Sequence, residues 1–367
     1  MFRRDVLIRG TALLAALDAP AVPAHAHSGP VDPSGSPGTP SSRVPGGYRT
    51  GWQGLPPIGG GARQEHGTVA LGSKVYVIAG ITPTPGGGFT TTNRVEVYDS
   101  RTGRWSDVAP LPVAMNHPNA AAVGGKIYVL GGLSGGESWQ ALPNAYVFDP
   151  RTNQWSPVPF MPPGTERGSA AIGVHGPKIY LAGGMRTLTP QPGGLQDTVD
   201  TVSCFDVTTG RWETLPSLPE ARDHAGGALI AATFYVVGGR DRGQAHVRGE
   251  VFALDLRTRR WGRRAPMPTA RGGIAAAAVG TTIYTFGGEG NPAPGSHGVF
   301  PDTEAYDTTR DRWRTLAPMP VPRHGTAAAA VGDTIHIPGG GTKGGGAPVD
   351  THDAYRPHGR RPGQVPP

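Results

Sequence analysis

The chain has 367 residues, among them 58 Gly and 39 Pro, with 17% charged residues and a formal charge of +7. Gly and Pro at this level suit many short strands joined by turns. The single cysteine, Cys204, excludes an intrachain disulfide. The mild positive charge, with no basic run interleaved with aromatics, argues against a nucleic-acid partner.

In chain order, residues 1–26 read as an export signal. Arg3-Arg4 precedes the apolar run Thr11–Leu17, and Ala24-His25-Ala26 supplies a small-x-small cleavage pattern. The segment resembles a twin-arginine signal, cleaved near Ala26, so a secreted, extracellular or periplasmic location is expected. The apolar run is too short to span a bilayer, and no cysteine follows it to carry a lipid. Its removal leaves 31 basic and 25 acidic residues, a charge of +6. Residues 27–47 are rich in Pro, Gly and Ser and read as a disordered linker, as does the basic tail 357–367.

Residues 48–356 repeat. An apolar run closes on Ala79-Gly80, Gly131-Gly132, Gly183-Gly184, Gly238-Gly239, Gly287-Gly288 and Gly339-Gly340, in steps of 52, 52, 55, 49 and 52 residues. Each repeat spells four strands: an Ala-rich strand, the run ending in the Gly pair, a third strand ending in Asp, and a fourth that carries Trp. Asp99 and Trp105, Asp149 and Trp155, Asp206 and Trp212, Asp255 and Trp261, and Asp307 and Trp313 are each six apart. The Asp initiates the hairpin turn, and the Trp fills the gap between neighbouring sheets. The Gly pair admits a close backbone neighbour. The sixth repeat has no Trp; Trp52 is expected to supply it as the outer strand of that blade, closing the ring. Pro338 in the second strand predicts a local irregularity there.

These features, an Arg, an apolar strand ending in Gly-Gly, a strand ending in Asp and a Trp six residues on, resemble the kelch repeat. The resemblance covers about residues 48–356 and implies an all-β fold, a six-bladed propeller with four antiparallel strands per blade.

Seventeen residues before the second Gly of each pair stand Arg63, Met115, Arg167, Arg222, Arg271 and Arg323. Five arginines at one level predict a ring around one channel mouth. His66, His117, His224, His324, Glu65, Glu166 and Asp223 lie beside it, and the loops after the Gly pairs open on the same face. Ring and loops together predict a cup for an anion, since Arg pairs with carboxylate or phosphate in bidentate fashion. The ligand-binding candidates are Arg63, His66, His117, Arg167, Arg222, Arg271, Arg323 and His324. His117, His224 and His324 occupy offsets of two, two and one from the ring level, which argues against a shared metal, and no cofactor is expected.

The resemblance implies three functions. The first is a monomeric module that binds an acidic sugar or peptide without chemistry. The second is a cofactor-free isomerase similar to the exported bacterial sialic acid mutarotases, with Glu65, Glu166 or His224 moving a proton. The third, a copper-radical carbohydrate oxidase, needs a Tyr–Cys pair near the axis. It is disfavoured because Cys204 precedes Asp206 on a third strand.

Overall fold

The computed structural model describes residues 51–136, 138–189 and 194–357. The signal 1–26, the linker 27–47 and all but the first residue of the tail lie outside them. No helix occurs among the described residues, and the strands assemble into the six blades of a β-propeller. Blade 1 shows the plan, with antiparallel strands Gly67–Leu71, Lys74–Ile78, Val95–Asp99 and Arg104–Val108 in that order from the axis outward. The second strands are almost fully buried because sheets pack on both of their faces, which explains their continuous apolar runs.

Trp52–Leu55 pairs antiparallel with His352–Tyr355, Trp52 opposite Tyr355, as the outer strand of blade 6. The ring is thus closed by its two chain ends in one sheet, and no open edge remains between them. Pro338 is the last residue of its strand, opposite His352, and its carbonyl accepts the Thr326 hydroxyl at 2.6 Å. The inner strand of that blade is cut to Ala329–Val331.

Three devices repeat around the ring. The first binds blade to blade. Each outer-strand Trp donates its indole N–H to a carbonyl in the link that leaves the preceding blade: Trp52 to Ala317, Trp105 to Pro56, Trp155 to Ala109, Trp212 to Pro159, Trp261 to Pro216 and Trp313 to Ala265, at 2.8–3.0 Å. The second shapes the hairpins, where Asp99, Asp149, Asp206, Asp255 and Asp307 each accept the backbone N–H two residues on. The third is the Gly pair. A Cβ on Gly287 would run into the Arg323 carbonyl of the next blade, and the Gly288 N–H donates to that same carbonyl at 2.9 Å.

A fourth device is not visible in the spacing. Two residues after each ring position stand Glu65, His117, Ser169, His224, Gly273 and Gly325, all with φ between 50 and 63°. Each donates its backbone N–H to the carbonyl of its counterpart in the preceding blade, from His117 to Glu65 round to Glu65 to Gly325, at 2.7–3.3 Å. The six peptides form a closed hydrogen-bonded hoop about the axis. A left-handed backbone suits Gly; Glu, His, Ser and His hold it here at a cost, and such strain concentrates at functional sites.

Blade 6 meets blade 1 through a buried histidine pair. His336 Nδ1 lies 3.1 Å from His352 Nε2, and Tyr98 and Trp105 pack on the His352 ring at 4.7 and 5.3 Å. Burial, then the charge of Arg356, pushes His336 down to about 4. Burial, then His336, holds His352 well below the usual imidazole range. Both folded-state values lie below the unfolded value near 6.5, so the unfolded chain takes up the protons first. The stability is complete above about pH 6.5 and is lost as pH falls toward 4, by about 3 kcal/mol for His336 alone. Urea midpoints at pH 7.5 and 4.5 should differ by correspondingly less in the His336→Asn/His352→Asn variant than in the parent.

Candidate functional site

The five ring arginines do not form the expected cup. All are 0–2% exposed, and each guanidinium turns back into its own blade. Arg167, Arg271 and Arg323 donate Nε–H to the first carbonyl of their own Gly pair, Gly183, Gly287 and Gly339, each at 2.7 Å. The outer nitrogens reach the third strand of the same blade: Arg63 to Glu96 at 3.0 Å, Arg167 to Ser203 at 3.2 Å, Arg271 to Glu304 at 2.6 Å and Arg323 to Asp353 at 2.8 Å. Arg222 pairs with Glu220 and Glu250 and lies over the Phe252 ring. Met115 belongs to an apolar cluster with Tyr146, the residue that stands where blades 1, 5 and 6 carry Glu96, Glu304 and Asp353. In blades 1, 5 and 6 arginine and carboxylate are therefore a matched internal brace; blades 3 and 4 keep the arginine opposite Ser203 and Phe252, and blade 2 has dropped both halves.

The chemistry at the axis belongs to other residues. Glu65, His117 and His224, in phase on the peptide hoop, converge. His117 Nε2 is 3.0 Å from Glu65 Oε2 and 3.0 Å from His224 Nε2, and His224 Nε2 is 3.8 Å from Glu65 Oε2. The reading that the histidines do not meet is thus corrected for His117 and His224. His324, one residue out of phase, turns its Nε2 to the Lys343 carbonyl at 2.8 Å and lies 3.4 Å from Glu289.

Around this trio is a second layer. His117 Nδ1 is 2.7 Å from Asn116 Oδ1, and the Asn116 amide donates to Thr91 Oγ1 at 2.8 Å. His224 Nδ1 is 2.7 Å from Asp223 Oδ1. Arg240 donates to Asp223 at 3.0 Å, approaches His224 Nε2 at 3.2 Å and is paired with Glu289. Burial opposes ionisation of these acids. His117 and then His224 nevertheless hold Glu65 well below the usual range, the His224 hydrogen bond and Arg240 hold Asp223 at about 2, and His324 and Arg240 lower Glu289. Burial and then Arg240 lower His224.

Arg240 and Glu289 escaped the sequence reading. The missed signal is the residue after each Gly pair: Ile81, Leu133, Met185, Arg240, Glu289 and Gly341. Each forms an antiparallel bridge with the residue just after the ring position, such as Asp223 with Arg240 and Gly272 with Glu289. One side of the axis is therefore apolar, where Ile81, Leu133 and Met185 pack with Trp139 and Leu188. The other side is charged.

The loop face is partly covered. Gly344 N–H donates to His297 O at 2.8 Å, Gly345 N–H to Glu289 Oε2 at 3.1 Å and Ala347 N–H to Gln64 Oε1 at 3.3 Å, which ties segment 341–349 of blade 6 to blades 5 and 1. Space lies on the other side of the hoop. A cavity of about 390 Å³ runs between the inner strands, walled by Ala and Gly and reaching Glu65, His66, Thr68, His117, Ser169 and His224. His66 lines it with Nδ1 3.1 Å from Thr68 Oγ1, and burial followed by Arg63 pushes it down to about 4. Neither the ring arginines nor His324 and Glu166 line this cavity. Cys204 sits opposite Tyr180 in the core of blade 3, away from the cavity, and burial raises its thiol to about 11.

A family model described as the KLHDC2/KLHL20/DRC7 Kelch-repeats domain matches residues 51–222 and 191–355. The chain belongs to the kelch-repeat family. This kelch propeller is 39% identical over 281 residues to Kelch-like protein terF of Aspergillus terreus, covering 76% of the chain and 61% of the relative. It is 26% identical over 182 residues to Kelch-like protein 35 of Mus musculus, covering 49% of the chain and 27% of the relative. The chain thus spans under two thirds of the length of these curated relatives. A solved structure titled "Structure of YjhT" superposes with a TM-score of 0.65 over 81% of this chain and 96% of that one at 17% identity, a likeness of fold.

Proposed function

We propose that this kelch propeller is a binding module whose ligand, a small polar molecule such as a sugar, enters the axial cavity. The observation that carries the reading is the cavity itself. Its wall of Ala and Gly leaves room, and its inner end offers hydroxyl, imidazole and carboxylate groups from four blades. A concave site with a few convergent polar groups is the usual form of a ligand pocket. The guanidinium groups first nominated for an anion are engaged inside the blades, so recognition falls to Thr68, Ser169, His66 and the hoop residues. Ala278 lines the cavity away from the hoop. Ala278→Phe should weaken sugar binding at least about tenfold. Calorimetry with N-acetylneuraminic acid, glucuronic acid and neutral N-acetylglucosamine tests it; no heat with any of them sinks the reading.

A second reading is favoured by the contact of Glu65 with His117. A carboxylate and imidazoles at one end of a cavity can pass a proton, the step an isomerase needs. Proton NMR of anomer exchange on the same sugars tests it, with Glu65→Gln expected to abolish any acceleration. Export through the segment 1–26 is part of the proposal; fusion of that segment to a reporter that needs the twin-arginine route would fail to be exported if this is wrong.

A further inference from the structure

We propose that Glu65, His117 and His224 bind a divalent transition-metal ion on the propeller axis. The three donor atoms, Glu65 Oε2, His117 Nε2 and His224 Nε2, form a triangle with sides of 3.0, 3.0 and 3.8 Å. A point equidistant from all three lies about 2 Å from each, the length of a zinc–nitrogen or zinc–oxygen bond. Two imidazoles and one carboxylate are an established donor set for zinc and for ferrous iron.

The tautomers are imposed from outside the triangle. His117 Nδ1 faces the Asn116 oxygen and His224 Nδ1 faces the Asp223 carboxylate, both at 2.7 Å, and an oxygen acceptor there requires the proton on Nδ1. Thr91 accepts from the Asn116 amide nitrogen, which keeps the amide oxygen toward the histidine. In its neutral form each ring therefore turns an Nε2 lone pair toward the other at 3.0 Å. Lone pairs at that distance repel, and a cation between them converts the repulsion into two bonds. Outer hydrogen bonds that orient ligating histidines in this way are the usual support of a metal centre.

The charge count points the same way. With its imidazoles neutral, as ligating histidines must be, this cluster holds three buried negative charges, on Glu65, Asp223 and Glu289, against the one positive charge of Arg240. Buried charge is costly unless compensated, and one divalent ion supplies the missing two units. Arg240 lies 3.2 Å from His224 Nε2; it would yield that contact to the ion and keep Asp223 and Glu289. Three protein ligands leave a coordination position for water or for a ligand group arriving through the cavity, as in catalytic rather than structural zinc sites.

The experiment uses the full chain, freed of metal with a chelator and titrated with Zn²⁺ alone, so its outcome is independent of any sugar. One equivalent should bind, and His117→Gln or His224→Gln should weaken binding at least about 100-fold. Asn116→Ala, which removes only a positioning contact, should weaken it about 10- to 100-fold. His246→Gln/His297→Gln, on outer loops, should leave binding unchanged. Co²⁺ added to the metal-free parent should give visible bands of low-symmetry nitrogen and oxygen coordination, a readout that does not depend on the variants folding. Absence of stoichiometric uptake, absence of those bands, or uptake that survives His117→Gln/His224→Gln would each overturn the proposal.

Discussion

Arg271→Met should destabilise the propeller by about 3–5 kcal/mol, because it leaves the Glu304 carboxylate buried without its partner. Glu304 is 1% exposed, and its Oε2 accepts from Arg271 at 2.6 Å. The chain itself supplies the remedy. Blade 2 carries Met115 at the arginine level and Tyr146 at the carboxylate level, both buried in one apolar cluster. The double variant Arg271→Met/Glu304→Tyr should therefore recover much of the loss, since replacing a buried ion pair by packed apolar groups is often neutral or better. Urea unfolding of the two single variants and the double measures the coupling. A double variant as unstable as the two singles added together would show that the brace is not a matched pair. The same experiment bears on function, because an arginine occupied in this way is unavailable to a ligand.

Trp52→Ala should cost about 3–5 kcal/mol, in the range for a large aromatic removed from a packed core. Trp52 is 2% exposed, packs edge-on against Phe286 at 5.5 Å and Tyr355 at 5.0 Å, and donates to Ala317 O at 3.0 Å. Its loss differs in kind from that of Trp313, which also packs on the third strand of its blade and donates across to the preceding blade. Trp52 lies in the strand that joins the two ends of the ring. Trp52→Ala should thus raise amide exchange throughout 329–355, whereas Trp313→Ala should raise it chiefly in 303–315. Equal, local effects from both would mean that ring closure does not depend on Trp52.

Much of the fold is legible in the spacing. The Gly pairs and the Asp–Trp hairpins are local signals that recur at fixed offsets, each demanded by a turn or a close approach, and Trp52 is found because the sixth copy lacks its own Trp. Kelch membership rests on the same residues. The site was legible only in part. His117, His224 and Glu65 are legible as candidates, but His324 beside them at a different offset hides the phase that His117 and His224 share. Glu65 shares the phase of the other two and was read only as a base. Arg240 and Glu289 directly follow Gly pairs, whose own signal is a close backbone approach.

The sequence by itself determined the number of blades, their order and the level of the arginines, because these depend on what is adjacent along the chain, and it indicated the closing strand because one copy of the repeat lacks its Trp. The tertiary structure alone decided where the side chains point. A guanidinium turns inward when carbonyls of its own blade and an acid or hydroxyl on the third strand wait there. A residue with left-handed backbone departs from the alternation of a strand and can aim its side chain along the axis. Glu65, His117 and His224 come from three blades, and only closure of the ring brings them within 3.8 Å of one another.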